Sequence, residues 1–162
     1  MTVVINTNQH GILALNHLDR LEDSLGETLP TEYRAFLIEN NGACLTPDEI
    51  IFPGKHEPYT LLDCMLGLHD APESIDIVRK NVEFLIPEDA LPIAEDHGGD
   101  LICIGLRGVH RGRIFYWQHD YSRPGVVDGD WHGMILLAES FNEFVASMGR
   151  PQPGWHSQSA KA

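Results

Sequence analysis

An α+β fold, with helices first, an antiparallel meander later and a closing helix, follows from three features of the sequence. Near the N-terminus Ile12, Leu15, Leu18, Leu21 and Leu25 recur at spacings of three and four, the helical period. In the middle, Leu91 to Asp120 (LPIAEDHGGDLICIGLRGVHRGRIFYWQHD) reads as a β-hairpin with a polar entrance. Toward the end, Ser140 and Glu143 form a capping box ahead of Phe141, Phe144, Val145 and Met148. The expectation is one domain over residues 1–150, with a mixed, mostly antiparallel sheet covered by N-terminal helices and a C-terminal helix. A tail occupies 151–162.

The first helix should stop at Gly26, a residue suited to the left-handed cap. Glu27 to Leu29 form a joint, Pro30 takes the first position of a second helix, and Glu32 lies near its positive end. Tyr33, Phe36 and Leu37 give that helix an apolar stripe, and Asn40, Asn41 and Gly42 stop it. Leu29 is expected as the wedge between the two helices. Glu49 to Phe52 reads as a strand closed by Pro53 and Gly54, and Tyr59 to Leu66 as a second strand or a helical turn. Pro72, Glu73 and Ser74 open a third helix carrying Ile75, Val78, Val82 and Leu85, which Pro87 ends. Pro92 to Ala94 is a short strand entering the hairpin. Asp128 and Gly129 signal a hairpin turn before a last strand, Trp131 to Leu137. Gly149 and Pro151 close the final helix, and from Gln152 the chain reads as a frayed tail with Trp155 tucked back.

Within the central hairpin, Leu101 to Leu106 and Arg113 to His119 are the two runs. If Leu106 faces Arg113, then Ile102 opposes Trp117 and Ile104 opposes Phe115 on one face. Leu101, Cys103, Ile114 and Tyr116 fall on the other. Both faces are apolar, which predicts a central pair of the sheet. The same register sets Asp100 opposite His119, with Asp120 adjacent and Glu95, Asp96 and His97 leading in. Gly98 and Gly99 let the chain turn sharply there.

The chain of 162 residues is long enough for a real core, and 43% hydrophobic with 22% charged residues are ordinary globular values. No signal peptide and no membrane-length apolar run are visible. Cys44, Cys64 and Cys103 are odd in number and lack a C-x-x-C pair, which suits a reduced, cytoplasmic setting with Cys64 and Cys103 as small buried hydrophobes. The net charge of −13 is uneven: residues 1–100 hold 19 acids against 5 Lys or Arg, and residues 101–162 hold 5 against 6. Such a surface repels nucleic-acid phosphates and attracts a basic partner, although solubility alone also explains acidity.

Four segments in order carry a family resemblance: LEDSLGETLPTEYRAFLIENNG, LPIAEDHGGDLICIGL, GRIFYWQHD and LLAESFNEFV. Together, from about Leu18 to Met148, the chain resembles the SUKH superfamily, the group of the yeast cell-wall assembly regulator and many bacterial immunity proteins. Leu29, Pro30, Glu32, Tyr33 and Phe36 correspond to the family's start of the second helix, and Asn41 and Gly42 to its stop. Gly99 and Asp100 match its entry to a strand. Tyr116, Trp117, His119 and Asp120 match its aromatic strand and acidic exit. The segment from Tyr121 to Trp131 is longer than the family pattern. The resemblance implies a helix-covered sheet, no catalysis, no cofactor, and the binding of a toxin domain, often a nuclease.

Other chemistry is weaker. The cluster of Glu95, Asp96, His97, Asp100, His119 and Asp120 has the donor types of a Zn²⁺ or Mn²⁺ site, but no pair has helical ligand spacing, and Asp100 has a competing role tying the glycine turn. Ser140 is explained by capping, Cys44 has no neighbouring base, and a phosphate loop is absent. Trp117 reads as core, Trp131 as balanced between core and interface, and Arg107, Arg111 and Arg113 as a solvated turn. The expectation is therefore an immunity protein that docks an acidic surface on a basic toxin, with Glu95, Asp96, Asp100, Asp120 and Asp128 facing the partner. The alternatives are a regulatory or scaffolding interaction domain and a small metal-dependent hydrolase.

Overall fold

The computed structural model describes residues 1–54, 58–119 and 127–155. In chain order they form β1 (Val3–Ile5), α1 (Leu15–Leu25), α2 (Thr31–Asn40), β2 (Cys44–Thr46), β3 (Glu49–Ile51) and β4 (Tyr59–Met65). Then come α3 (Ile75–Asn81), β5 (Ala90–Asp96), β6 (Leu101–Gly105), β7 (Ile114–Trp117), β8 (Ile135–Ala138) and α4 (Phe141–Ala146). The class is α+β, as the sequence indicates. Strands β3 to β8 make one antiparallel sheet in sequence order, and β1 pairs with β2 in a separate ribbon. The central position expected of the hairpin holds: β6 lies between β5 and β7 with all five residues buried.

Helix α1 ends in a left-handed Gly26 (φ 70°), whose N–H bonds the Glu22 and Asp23 carbonyls. Its apolar stripe is shorter than the sequence pattern: Leu18, Leu21 and Leu25 are buried, whereas Ile12 is 84% and Leu15 60% exposed. Leu13, outside the helix, enters the core instead. Pro30 caps α2 one position earlier than expected, and Leu29 is buried at the corner. Tyr33 and Leu37 are sealed inside, with Tyr33 and Phe36 both edge-on to Phe141 of α4. Each such buried aliphatic side chain contributes about 1.5–3 kcal/mol.

Three boundaries move. Helix α3 stops at Asn81, so Val82 and Leu85 lie beyond it, and Phe84 adopts φ 72°. Strand β5 is longer than Pro92 to Ala94. The last strand is shorter, because Trp131–Gly133 forms a 3-10 turn capped by the Asp130 side chain. Asp128 and Gly129 do turn, but not between paired strands: the Gly129 N–H bonds the Leu85 carbonyl at 3.0 Å.

The cysteine expectation is corrected. Cys44 of β2 and Cys64 of β4 form a disulfide across a sequence separation of 20. Spacing along the chain concealed their closeness: β2 lies beside β4, where the Met65 N–H bonds the Ala43 carbonyl at 2.8 Å. Cys103 is buried as expected, and burial pushes its thiol pKa up.

The chain after α4 joins the two edges of the sheet. The Gly149 and Gln152 N–H groups bond the β3 carbonyls of Glu49 and Ile51, and the Gly154 N–H bonds the β8 carbonyl of Leu137 at 2.7 Å. Trp155 is 7% exposed and stacks on Phe52 at 4.5 Å, which in turn meets Tyr116 at 5.1 Å. The sheet is thereby curled shut, with residues 151–155 packed against it.

Candidate functional site

The register of β6 on β7 differs from the expected one by a single residue. Leu101 pairs with Trp117, Ile102 with Tyr116, Cys103 with Phe115 and Ile104 with Ile114. Gly108–His110 wind into a 3-10 turn, and Gly105 bonds both Gly112 and Arg113, which consumes one residue more than a plain loop. A slip of one exchanges the faces of one strand relative to the other. Tyr116 therefore shares a face with Ile102, and Trp117 shares the opposite face with Leu101 and Cys103.

That exchange builds the polar cluster. Tyr116 points its hydroxyl into the β5–β6 turn, 2.6 Å from Asp96 Oδ2 and 2.7 Å from Asp100 Oδ2. The single hydroxyl hydrogen serves one of the two carboxylates at a time. Asp96 Oδ1 accepts the Gly98 and Asp100 N–H groups at 2.9 and 2.8 Å, and Oδ2 accepts the Thr60 hydroxyl at 2.9 Å. Asp96, not Asp100, thus ties the glycine turn, in which Gly99 takes φ 87°. Asp100 Oδ1 accepts from the His119 backbone N–H at 2.9 Å and from its ring Nδ1 at 2.6 Å, so the expected Asp100–His119 meeting exists. Burial first, and then the two carboxylates, push the Tyr116 phenol far up, so it stays protonated.

Glu95 lies on the other side of the sheet. Glu95, Leu101 and Trp117 form a cross-strand row with Asp63 close to Glu95, and Glu49, Leu61, Ile51 and Tyr59 line the neighbouring β3–β4 pair. This face is half open: Tyr59 is 55% exposed and the Asp63 side chain 52%. A shallow groove of ≈ 480 Å³ runs between Glu49, Ile51, Pro58, Tyr59 and Leu61. His97 reaches Asp63 at 3.0 Å, but Glu95 has no basic partner among the described residues. Burial, followed by Asp63 and Asp96, raises the Glu95 pKa. An acidic face carrying an exposed Tyr and a half-buried Trp has the composition of a protein-binding surface.

Of the five residues expected at the partner, the four that are described do not share one surface. Glu95, Asp96 and Asp100 gather at one end of β5, but Asp96 is 3% exposed and holds the turn from inside. Asp128 is exposed near the opposite end of β5, beside Ile86 and Ala90. Asp120 lies outside the described residues. Among the described residues no group of three His, Cys, Asp or Glu side chains is arranged to hold a metal ion. The arginines expected in a solvated turn are engaged instead. Arg107 contacts Asp89 and the Leu25 carbonyl, Arg111 donates to the Thr28 and Leu106 carbonyls, and Arg113 pairs with Glu139 at 2.7 Å. Arg107 and Arg111 clamp the hairpin tip to the C-terminal end of α1, where cations suit the helix dipole.

Two residues carry more than the sequence signalled. Asn41, read as a helix stop, is buried and links the Gly11 carbonyl to both polar groups of Leu68. Gly67 makes room for it, since a Cβ there would lie 2.8 Å from Asn41 Oδ1. Trp131, read as evenly balanced, stacks on His110 at 4.0 Å and covers Phe115.

The curled meander, the helical corner and the acidic turn at the sheet's end define an α+β domain of the SUKH type. The chain belongs to the SMI1 / KNR4 family (SUKH-1), whose profile matches residues 13–147. It is also similar to the SPbeta prophage-derived uncharacterized protein YokK of Bacillus subtilis (strain 168), with 31% identity over 160 residues. That match covers 89% of this chain and 75% of the relative. Among the described residues no helix is long and apolar enough to cross a membrane.

Proposed function

We propose that the protein is an immunity protein that binds a cognate toxin domain and neutralises it by occluding a basic, nuclease-type active site. The observation that carries this reading is Glu95, a carboxylate crowded by Asp63 on a half-open sheet face, with exposed Tyr59 further along β4. A basic partner would relieve that crowding, and Tyr59 and Trp117 would supply apolar anchors. Asp96 and Asp100 would support the face by holding its turn, and Asp120 is proposed as a further acidic contact, whereas Asp128, near the opposite end of β5, lies off this face. Family membership supports the reading, as does a relative described as prophage-derived, because a mobile element suits a toxin–immunity pair better than a housekeeping regulator.

Affinity capture from native extract, at low and high salt, tests the proposal. One basic toxin domain should be recovered and released by salt. The double variant Asp63→Lys/Glu95→Lys should slow its association far more than it speeds dissociation. Recovery of housekeeping proteins alone would favour a scaffold, and unchanged association would place the docking surface elsewhere.

A further inference from the structure

Beyond that face, the corner where α3 runs into β5 carries an apolar group that the fold leaves in water. Phe84 is 80% exposed at φ 72°, and its neighbour Leu85 is 39% exposed. A bulky residue in the left-handed region is a strained choice that Gly would relieve, and such strain concentrates where a chain holds a ligand or partner. Phe84 stands on the rim of a hollow of ≈ 660 Å³ floored by Ile86, Pro87 and Ala90. A cavity of about 150 Å³ takes up benzene, so the hollow has room for a phenyl ring. Its own Phe84 does not fill it.

The charges around the hollow decide what does. Arg79 and Lys80 stand against Glu83, Glu88 and Asp128. Lys80, Glu83, Glu88 and Asp128 make no ion pair among the described residues. The patch is nearly balanced, two cations against three carboxylates, so a partner of a single sign gains little net attraction from it. A surface with both signs in the same patch complements itself when turned about a two-fold axis.

We infer that this corner is a self-association surface, with Phe84 of each copy seated in the hollow of the other. Arg79 and Lys80 of one copy then meet Glu83 and Glu88 of its mate. The acidic sheet face lies at the far end of β5, about 20 Å away at the rise of a strand, and stays free.

Sedimentation equilibrium over a concentration series tests this. The wild type should dimerise, and Phe84→Gly should weaken the dimer roughly tenfold or more while its melting temperature holds or rises. Arg79→Glu/Lys80→Glu and Glu83→Lys/Glu88→Lys should each be monomeric alone and form a heterodimer when mixed. A wild type monomeric at every concentration overturns the inference, as does a dimer indifferent to Phe84→Gly or a charge-swapped mixture that stays monomeric. Association that survives only with a different protein on the Phe84 corner also overturns it.

Discussion

Glu22 and Glu95 are two carboxylates in one small domain whose surroundings treat them in opposite ways. Glu22, 8% exposed in the corner between α1 and α2, accepts the Leu29 N–H at 2.7 Å and the Arg34 guanidinium at 3.0 to 3.1 Å. Burial works against its ionised form, but Arg34 and the Leu29 N–H prevail and hold its pKa below the ordinary range. At Glu95 burial acts in the same direction as Asp63 and Asp96, and among the described residues nothing basic answers. The answered carboxylate belongs to the fold. The unanswered one is available to a partner.

The hardest way to break this contrast is to remove Glu22. Glu22→Ala strands the Leu29 N–H and the Arg34 charge and should cost about 3 kcal/mol, measured by urea denaturation. Arg34→Ala should cost less, because the Arg34 side chain is 36% exposed. Tyr116→Phe comes next, at about 2 kcal/mol, since it leaves the Asp96 and Asp100 carboxylates without their shared donor. Its heteronuclear spectrum should change at Gly98, Gly99 and His119 while the helices stay put.

A pH series sharpens the contrast through opposite signs. The lowered pKa of Glu22 contributes stability present above its ordinary 4.5 and lost as pH falls through the lower folded value. Burial and then His10 lower the pKa of His69, so its contribution is present above the ordinary 6.5 and lost as pH falls below it. Glu95 runs the other way, because its raised pKa removes stability as pH rises through the folded value. Glu95→Gln should therefore match the wild type below about pH 4 and exceed it by about 0.5 kcal/mol at neutral pH. A variant that loses stability at neutral pH would mean that Glu95 has a structural partner.

Much of this arrangement was legible in the sequence because it depends on local period and capping. Gly26, Ser140 with Glu143, and the α1–α2 corner follow from patterns within a few residues. The Asp100–His119 contact was also readable, since either register brings those two ends together. The register itself was not, because it depends on a 3-10 turn at Gly108–His110 that no dipeptide announces. Nor were partners distant in the chain, such as Arg107 with Asp89, Asn41 with Leu68 and Cys44 with Cys64. Asp96 looked like a surface acid because its ladder of N–H donors exists only once the turn has closed. Leu85 looked like the end of an amphipathic stripe, but the helix stops at Asn81 before reaching it.

The closing of the sheet by the last described residues has a consequence for biosynthesis. Glu49 and Leu137, the carbonyls that Gly149 and Gly154 bond, are translated well before their partners emerge. Until Trp155 has left the ribosome, a nascent chain exposes two open strand edges and an unfilled aromatic slot at Phe52. Unpaired edges recruit other chains. A tag fused without a spacer directly after Trp155 would act on the same seam.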